Sequence, residues 1–278
     1  LRNPLLFAAM AGLLAAVGFG QSWSVALTIL NLCLISAVMA LGLNMQWGYA
    51  GLFNVGVMGF AAVGGLATVL ISKAPVVDAW AAGGWRLGLA ALALLATAAV
   101  VVAVRRWLGP GPIRSLATAV LVIAGYFVVR VFFDPATEAI EAVNSAKTGY
   151  LGGLGLPILL SWIVGGLLAA GVAWFIGKVA LGLRSDYFAI ATLGISEIVI
   201  AILKNEDWLA RGVKNVTGLS RPVPYEVNLQ GDLWFADLAA WLGADVIEAS
   251  SIFVKLCYAA LFLIVLLIVV ALSERALN

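Results

Sequence analysis

Long apolar blocks alternate along the chain with short polar connections. An α-helix rises about 1.5 Å per residue, so roughly 20 apolar residues cross the hydrocarbon core of a bilayer. Eight blocks approach that length, at 4–20, 24–46, 51–72, 85–104, 115–133, 158–177, 187–203 and 252–272. None shows the ten-residue alternation of a barrel strand, and an open-ended span in lipid must satisfy its own backbone hydrogen bonds. The pattern predicts an all-α, polytopic membrane helical bundle with about 8 transmembrane helices, forming one domain over 1–278. The second and third blocks also admit broken or half-length helices.

Composition narrows the choice. Of 278 residues, 64% are hydrophobic and 11% charged, and the mean hydropathy is +1.09. A water-soluble enzyme is excluded on that balance. With no histidine, triad chemistry and His-ligated metal sites are excluded as well. Cys33 and Cys257 lie inside apolar blocks and are read as packing thiols. No metal, cofactor or catalytic residue is expected, and nothing points to nucleic acid. Gly177-Lys178 is followed by Val179, so no Walker motif is present and any energy source lies on another subunit.

Charge distribution sets the orientation. Arg105, Arg106 and Arg114 share one short connection, and Lys178, Arg184 and Asp186 another; both are net positive and are placed in the cytoplasm. The facing connections are richer in acid. Residues 134–157 carry Asp134, Glu138 and Glu141 against Lys147, and acids outnumber bases over 204–251. Eight spans then put both ends in the cytoplasm. Trp23, Trp47, Trp85, Trp107, Trp162, Trp174 and Trp208 fall near span ends, as interfacial anchors do. Helix contacts are expected at small residues such as Gly12, Ala16 and Gly20, or Gly165 and Ala169.

The outer loop 204–251 is long for a simple connection. Over 229–241, Leu229, Leu233, Trp234, Leu238 and Trp241 alternate with Asp232 and Asp237. Helical spacing makes this an amphipathic helix on the membrane surface. An anchor that shields the bundle is favoured over a docking ledge for an external protein.

Polar chemistry inside the apolar blocks is concentrated in two places. Residues 40–60 read ALGLNMQWGYAGLFNVGVMGF, placing Asn44, Gln46, Tyr49 and Asn54 at membrane depth among five glycines. That is poor helix chemistry and suits a break lining a pathway, or else a tight turn at the interface. The second place is Glu197, near the middle of YFAIATLGISEIVIAILK, with Thr192 and Ser196 nearby. A carboxylate at that depth costs about 3 kcal/mol, so it is expected to face the interior, to carry a proton or to find a donor. A structural hydrogen bond is favoured over a proton-coupling site. Lys204 shares the face of Glu197 but lies two turns away, and Arg130 and Lys255 are read as snorkelling.

Three stretches together resemble the membrane permeases of branched-chain amino acid ABC importers, in particular the LivM-like family. They are ALGLNMQWGYAGLFNVGVMGFAAVGG at 40–65, LRSDYFAIATLGISEI at 183–198 and TGLSRP at 217–222. The likeness in order and spacing runs over most of the chain and is less typical at 229–250. It implies a multi-pass protein of a bacterial inner membrane, paired with a LivH-like second permease. A periplasmic substrate-binding protein would deliver a small-molecule solute, and two ATP-binding subunits would drive transport across the lipid bilayer. By position, Asn44, Gly48, Tyr49, Gly51 and Gly56 match the family's glycine-rich segment, and Tyr187, Phe188, Thr192 and Glu197 its later span. Relatives often carry histidine where this chain has Val57, so substrate preference does not transfer directly. They also continue into a basic coupling segment where this sequence stops at Asn278, and a trimmed chain is the expectation.

The leading expectation is a non-enzymatic transport subunit forming half of a pathway for branched-chain or related amino acids. Asn44, Gln46, Tyr49, Asn54, Thr192, Ser196 and Glu197 are its pathway residues. The alternative is an ion-coupled secondary transporter or channel using Glu197, and a weaker third reading is a purely structural membrane subunit.

Overall fold

The structure is a computed structural model and describes residues 2–144, 148–214 and 216–277. Lys147, counted above among the loop charges, lies outside the described residues. The helices are α1 (Arg2–Gly20), α2 (Trp23–Asn44), α3 (Val57–Ser72), α4 (Val77–Ala79), α5 (Trp85–Trp107), α6 (Pro112–Ala142), α7 (Ile158–Ala180), α8 (Ser185–Asn205), α9 (Asp207–Ala210), α10 (Glu226–Gly231), α11 (Leu233–Trp241) and α12 (Val246–Leu277). One wide π-helical turn, Met45–Tyr49, extends α2, and another, Trp80–Gly84, joins α4 to α5.

Six helical stretches are long and apolar enough to cross a membrane: Trp23–Tyr49, Val77–Trp107, Pro112–Ala142, Ile158–Ala180, Ser185–Asn205 and Val246–Leu277. Pro4–Gly20 and Val57–Ser72 are apolar but shorter. The chain is therefore an all-helical, multi-pass membrane protein, with six full-length candidate spans where the apolar blocks predict eight. The third block falls short because residues 50–56 are not helical. The fifth runs about two and a half turns beyond its apolar end, through Pro135 to Ala142, with Asp134 paired one turn back to Arg130 at 2.7 Å. Arg130 is thus held by a helical ion pair.

The chain divides into two compact units. The first comprises Leu1–Val57, Ala180–Leu193 and Arg221–Asn278. In it α2 packs against α1 and α12. Ser22 caps α2, its Oγ accepting the Val25 amide at 3.2 Å, which satisfies one orphan donor of the first turn. Lys255 on α12 donates to the Ser24 carbonyl at 3.0 Å and to Ser24 Oγ at 2.6 Å. Asn31 Nδ2 donates to the Lys255 carbonyl at 3.1 Å. Lys255 is therefore satisfied at a helix seam. The two-faced pattern of 229–241 appears as α10 and α11, split at Asp232. Leu229 and Phe235 are buried with Val223 and Val254, while Leu233 and Trp241 are exposed.

The second unit comprises Met58–Val179 and Gly194–Ser220. Helices α5 and α6 form its largest pair, closely approached where a side chain at Gly125 would run into Thr97. Helices α3 and α7 meet at Gly165, where an added Cβ would lie 3.4 Å from Gly64 Cα and 3.3 Å from the Ala67 side chain. The expected contact at Gly165 is present, whereas a Cβ on Gly12 or Gly20 would meet nothing. The end of α3 is capped by an extended run: Leu154, Leu156 and Gly155 amides donate to the Leu70, Ile71 and Lys73 carbonyls, each at 2.9 Å. The bonds to Leu70 and Ile71 satisfy two of the orphan carbonyls of a helix only 16 residues long. Trp208 is half-buried, packed edge-on against Phe133 at 5.4 Å and bonded through Nε1 to Glu206 at 2.5 Å.

Candidate functional site

The glycine-rich segment ends the second span in a π turn and leaves residues 50–56 irregular before α3, a turn between two helices rather than a gap inside one. In the π turn the Ala50 amide reaches back five residues to the Met45 carbonyl at 3.1 Å, and Leu52 N bonds Gln46 O at 2.9 Å. Gly51 then takes a φ of +66°, a left-handed conformation that glycine adopts without steric cost. Backbone freed in this way at membrane depth needs partners inside the protein.

Asn54 supplies them. Its side chain is 7% exposed; Nδ2 donates to Gln46 Oε1 at 2.8 Å, and Oδ1 accepts the Gly56 amide at 2.8 Å. The Val55 amide donates to Thr192 Oγ1 on α8 at 3.2 Å, and that hydroxyl donates to the Ala189 carbonyl at 3.0 Å. Gly56 permits the approach, because a Cβ there would sit 2.5 Å from the Thr192 carbonyl oxygen. Gln46, Asn54 and Thr192 thus form one neutral polar network within the first unit.

The remaining residues of the predicted set do not join it. Asn44 and Tyr49 are exposed, and Asn44 borders an open groove of about 440 Å³ with Trp47 and Gly48. Ser196 and Glu197 belong to the second unit. There Ser196 is buried against Gly59, where a Cβ would lie 2.9 Å from Ser196 Oγ. Glu197 is exposed on the surface of the chain rather than turned inward as its cost in lipid leads one to expect.

Two features escaped sequence reasoning. Lys73, at the end of α3, donates to the carbonyls of Thr217 and Gly218 at 2.6 and 3.2 Å, so the TGLSRP run is anchored by an ammonium 144 residues away. Gly218 there has a φ of +70°. The second feature is a cavity beside Lys204, lined by α3, α8 and the residues after it. No local pattern reports a space between distant segments. Among the described residues no cluster of Cys, Asp and Glu suits a metal ion.

Over 84 residues the chain is 36% identical to the high-affinity branched-chain amino acid transport system permease protein LivM of Escherichia coli (strain K12). It is 34% identical, over the same length, to the protein of that description from Salmonella typhimurium (strain LT2). The matched stretch is 30% of this chain and spans 19% of the length of each relative. No protein-family profile matches the chain, and no solved structure does. It is a multi-pass membrane protein distantly related, over part of its length, to the LivM transport-system permeases.

Proposed function

We propose that the chain is the transmembrane permease subunit of a binding-protein-dependent ABC importer, forming half of the pathway for branched-chain or related amino acids. The observation that carries this reading is the irregular segment between α2 and α3, whose backbone is satisfied by Asn54 and Thr192. Neutral amides and hydroxyls can hydrogen-bond both ends of a zwitterion as it passes. The similarity to LivM permeases supports the substrate class. Asn44, Gln46, Tyr49, Asn54, Thr192, Ser196 and Glu197 are the proposed pathway residues.

In this reading all eight apolar helices enter the bilayer of a bacterial inner membrane, both ends are cytoplasmic, and 1–278 acts as one permease domain. The outer segment 204–251 rests α11 on the membrane surface. The partners are a LivH-like second permease, two ATP-binding subunits that hydrolyse the nucleotide, and a periplasmic substrate-binding protein. An exposed carboxylate at Glu197, mid-span, supports a second permease, because an ion facing lipid is costly and one facing a protein can be matched.

The same exposure gives the alternative its footing, in which Glu197 takes up a proton in an ion-coupled carrier. Uptake into vesicles separates the two. An importer moves leucine with ATP and stops with vanadate, whereas a carrier continues under vanadate and stops when the proton gradient is collapsed.

A further inference from the structure

Where α8 ends, a cavity of about 270 Å³ opens between α3, the last turns of α8 and the segment through Gly212. Leu66, Val69, Ile200 and Leu203 give it aliphatic walls, and Lys204 is the one charged residue lining it. The segment closing it is tightly folded: Gly212 has a φ of +55°, and a Cβ there would strike the Asp207 carboxylate and lie 2.6 Å from the Lys204 carbonyl oxygen.

Nearby carboxylates are engaged elsewhere. Asp207 Oδ2 accepts from Lys214 at 2.8 Å, and Glu206 Oε2 accepts from Trp208 Nε1 at 2.5 Å. Glu197 is seven residues earlier on the same face, about 10.5 Å along the axis. Lys204 is exposed at the mouth of the cavity and, among the described residues, is in no ion pair. An ammonium without a counter-ion, set beside aliphatic walls, selects a ligand carrying both a carboxylate and an apolar body.

We propose that this cavity is a binding site for small zwitterions with an aliphatic side chain. Lys204 takes the carboxylate, and Leu66, Val69, Ile200 and Leu203 pack on the side chain. The inference rests on the importer reading and adds to it a site and a charge for recognition.

An anionic phospholipid presents related chemistry, so the test separates the two. The complete importer, purified in detergent without its binding protein, is probed by saturation-transfer NMR with leucine and with leucinol, which lacks the carboxylate. Leucine is expected to receive transfer on its methyl groups, and leucinol about tenfold less. Lys204→Gln should lower the leucine signal to the leucinol level, Lys204→Arg should preserve it, and Leu66→Trp should abolish it by filling the cavity. Equal signals from the two probes, or an undiminished leucine signal in Lys204→Gln, overturns the proposal. So does loss of co-purified anionic phospholipid in that variant with leucine binding intact. ATP-driven leucine uptake is measured alongside. Lys204-dependent binding without such uptake sinks the importer reading and leaves the site standing; uptake without Lys204-dependent binding does the reverse.

Discussion

Asn54 Nδ2 lies 2.8 Å from Gln46 Oε1, and the same side chain accepts the Gly56 amide, so one residue closes both sides of the break after α2. Replacement by leucine keeps the volume and strands a buried donor and an acceptor, at about 1–3 kcal/mol each. Asn54→Leu should lower the thermal midpoint of the purified protein by more than Gln46→Leu, which removes only one of the two bonds. Equal midpoints for both variants would remove Asn54 from its structural role.

Gly56 and Gly12 make a matched pair. A methyl group at Gly56 meets the Thr192 carbonyl at 2.5 Å, backbone against side chain with nothing flexible to yield, whereas one at Gly12 meets nothing. Gly56→Ala is expected to cost about 1–3 kcal/mol as an overpacked site, and Gly12→Ala to be neutral or slightly stabilising because alanine favours helix. Differential scanning fluorimetry of the two proteins checks the contrast; similar midpoints contradict it.

Lys73 holds the loop at Thr217 and Gly218 through two carbonyls. Lys73→Met removes both donors and keeps the apolar stem. Amide hydrogen exchange in a peptide covering 216–220 should accelerate, since local opening there no longer breaks those bonds. Exchange unchanged from the parent protein would show that the loop is held by something else.

Orientation is testable by labelling single cysteines in a background lacking Cys33 and Cys257. A cysteine at Trp107, beside Arg105 and Arg106, should react in intact cells with permeant maleimides alone. One at Leu233, exposed on α11, should react with impermeant reagent added outside. The reverse pattern would invert the proposed topology.

The helical architecture was legible because apolar block length is a local property, and so was the break, because five glycines among four polar residues oppose helix over a short window. Helix ends were less so. The pattern stops α6 at the first acid, yet the helix, with Arg130 and Asp134 paired on its surface, runs about two and a half turns further. Within the candidate site, the Gln46–Asn54 bond spans eight residues and lies in a stretch the pattern singles out. The Val55–Thr192 bond spans 137, and the cavity at Lys204 joins segments that no periodicity connects. Those depend on tertiary placement. Glu197 shows the converse: its cost in lipid was evident, but which face α8 presents is set by Ser196 packing on Gly59, which leaves the next residue outward.

Leucine uptake by proteoliposomes containing this chain, a second permease, two ATP-binding subunits and a binding protein tests the importer assignment most directly. Uptake should require every component and ATP, and should be weakened by Asn44→Ala or Glu197→Ala with assembly intact. Uptake by this chain alone, driven by a proton gradient and indifferent to ATP, would contradict it.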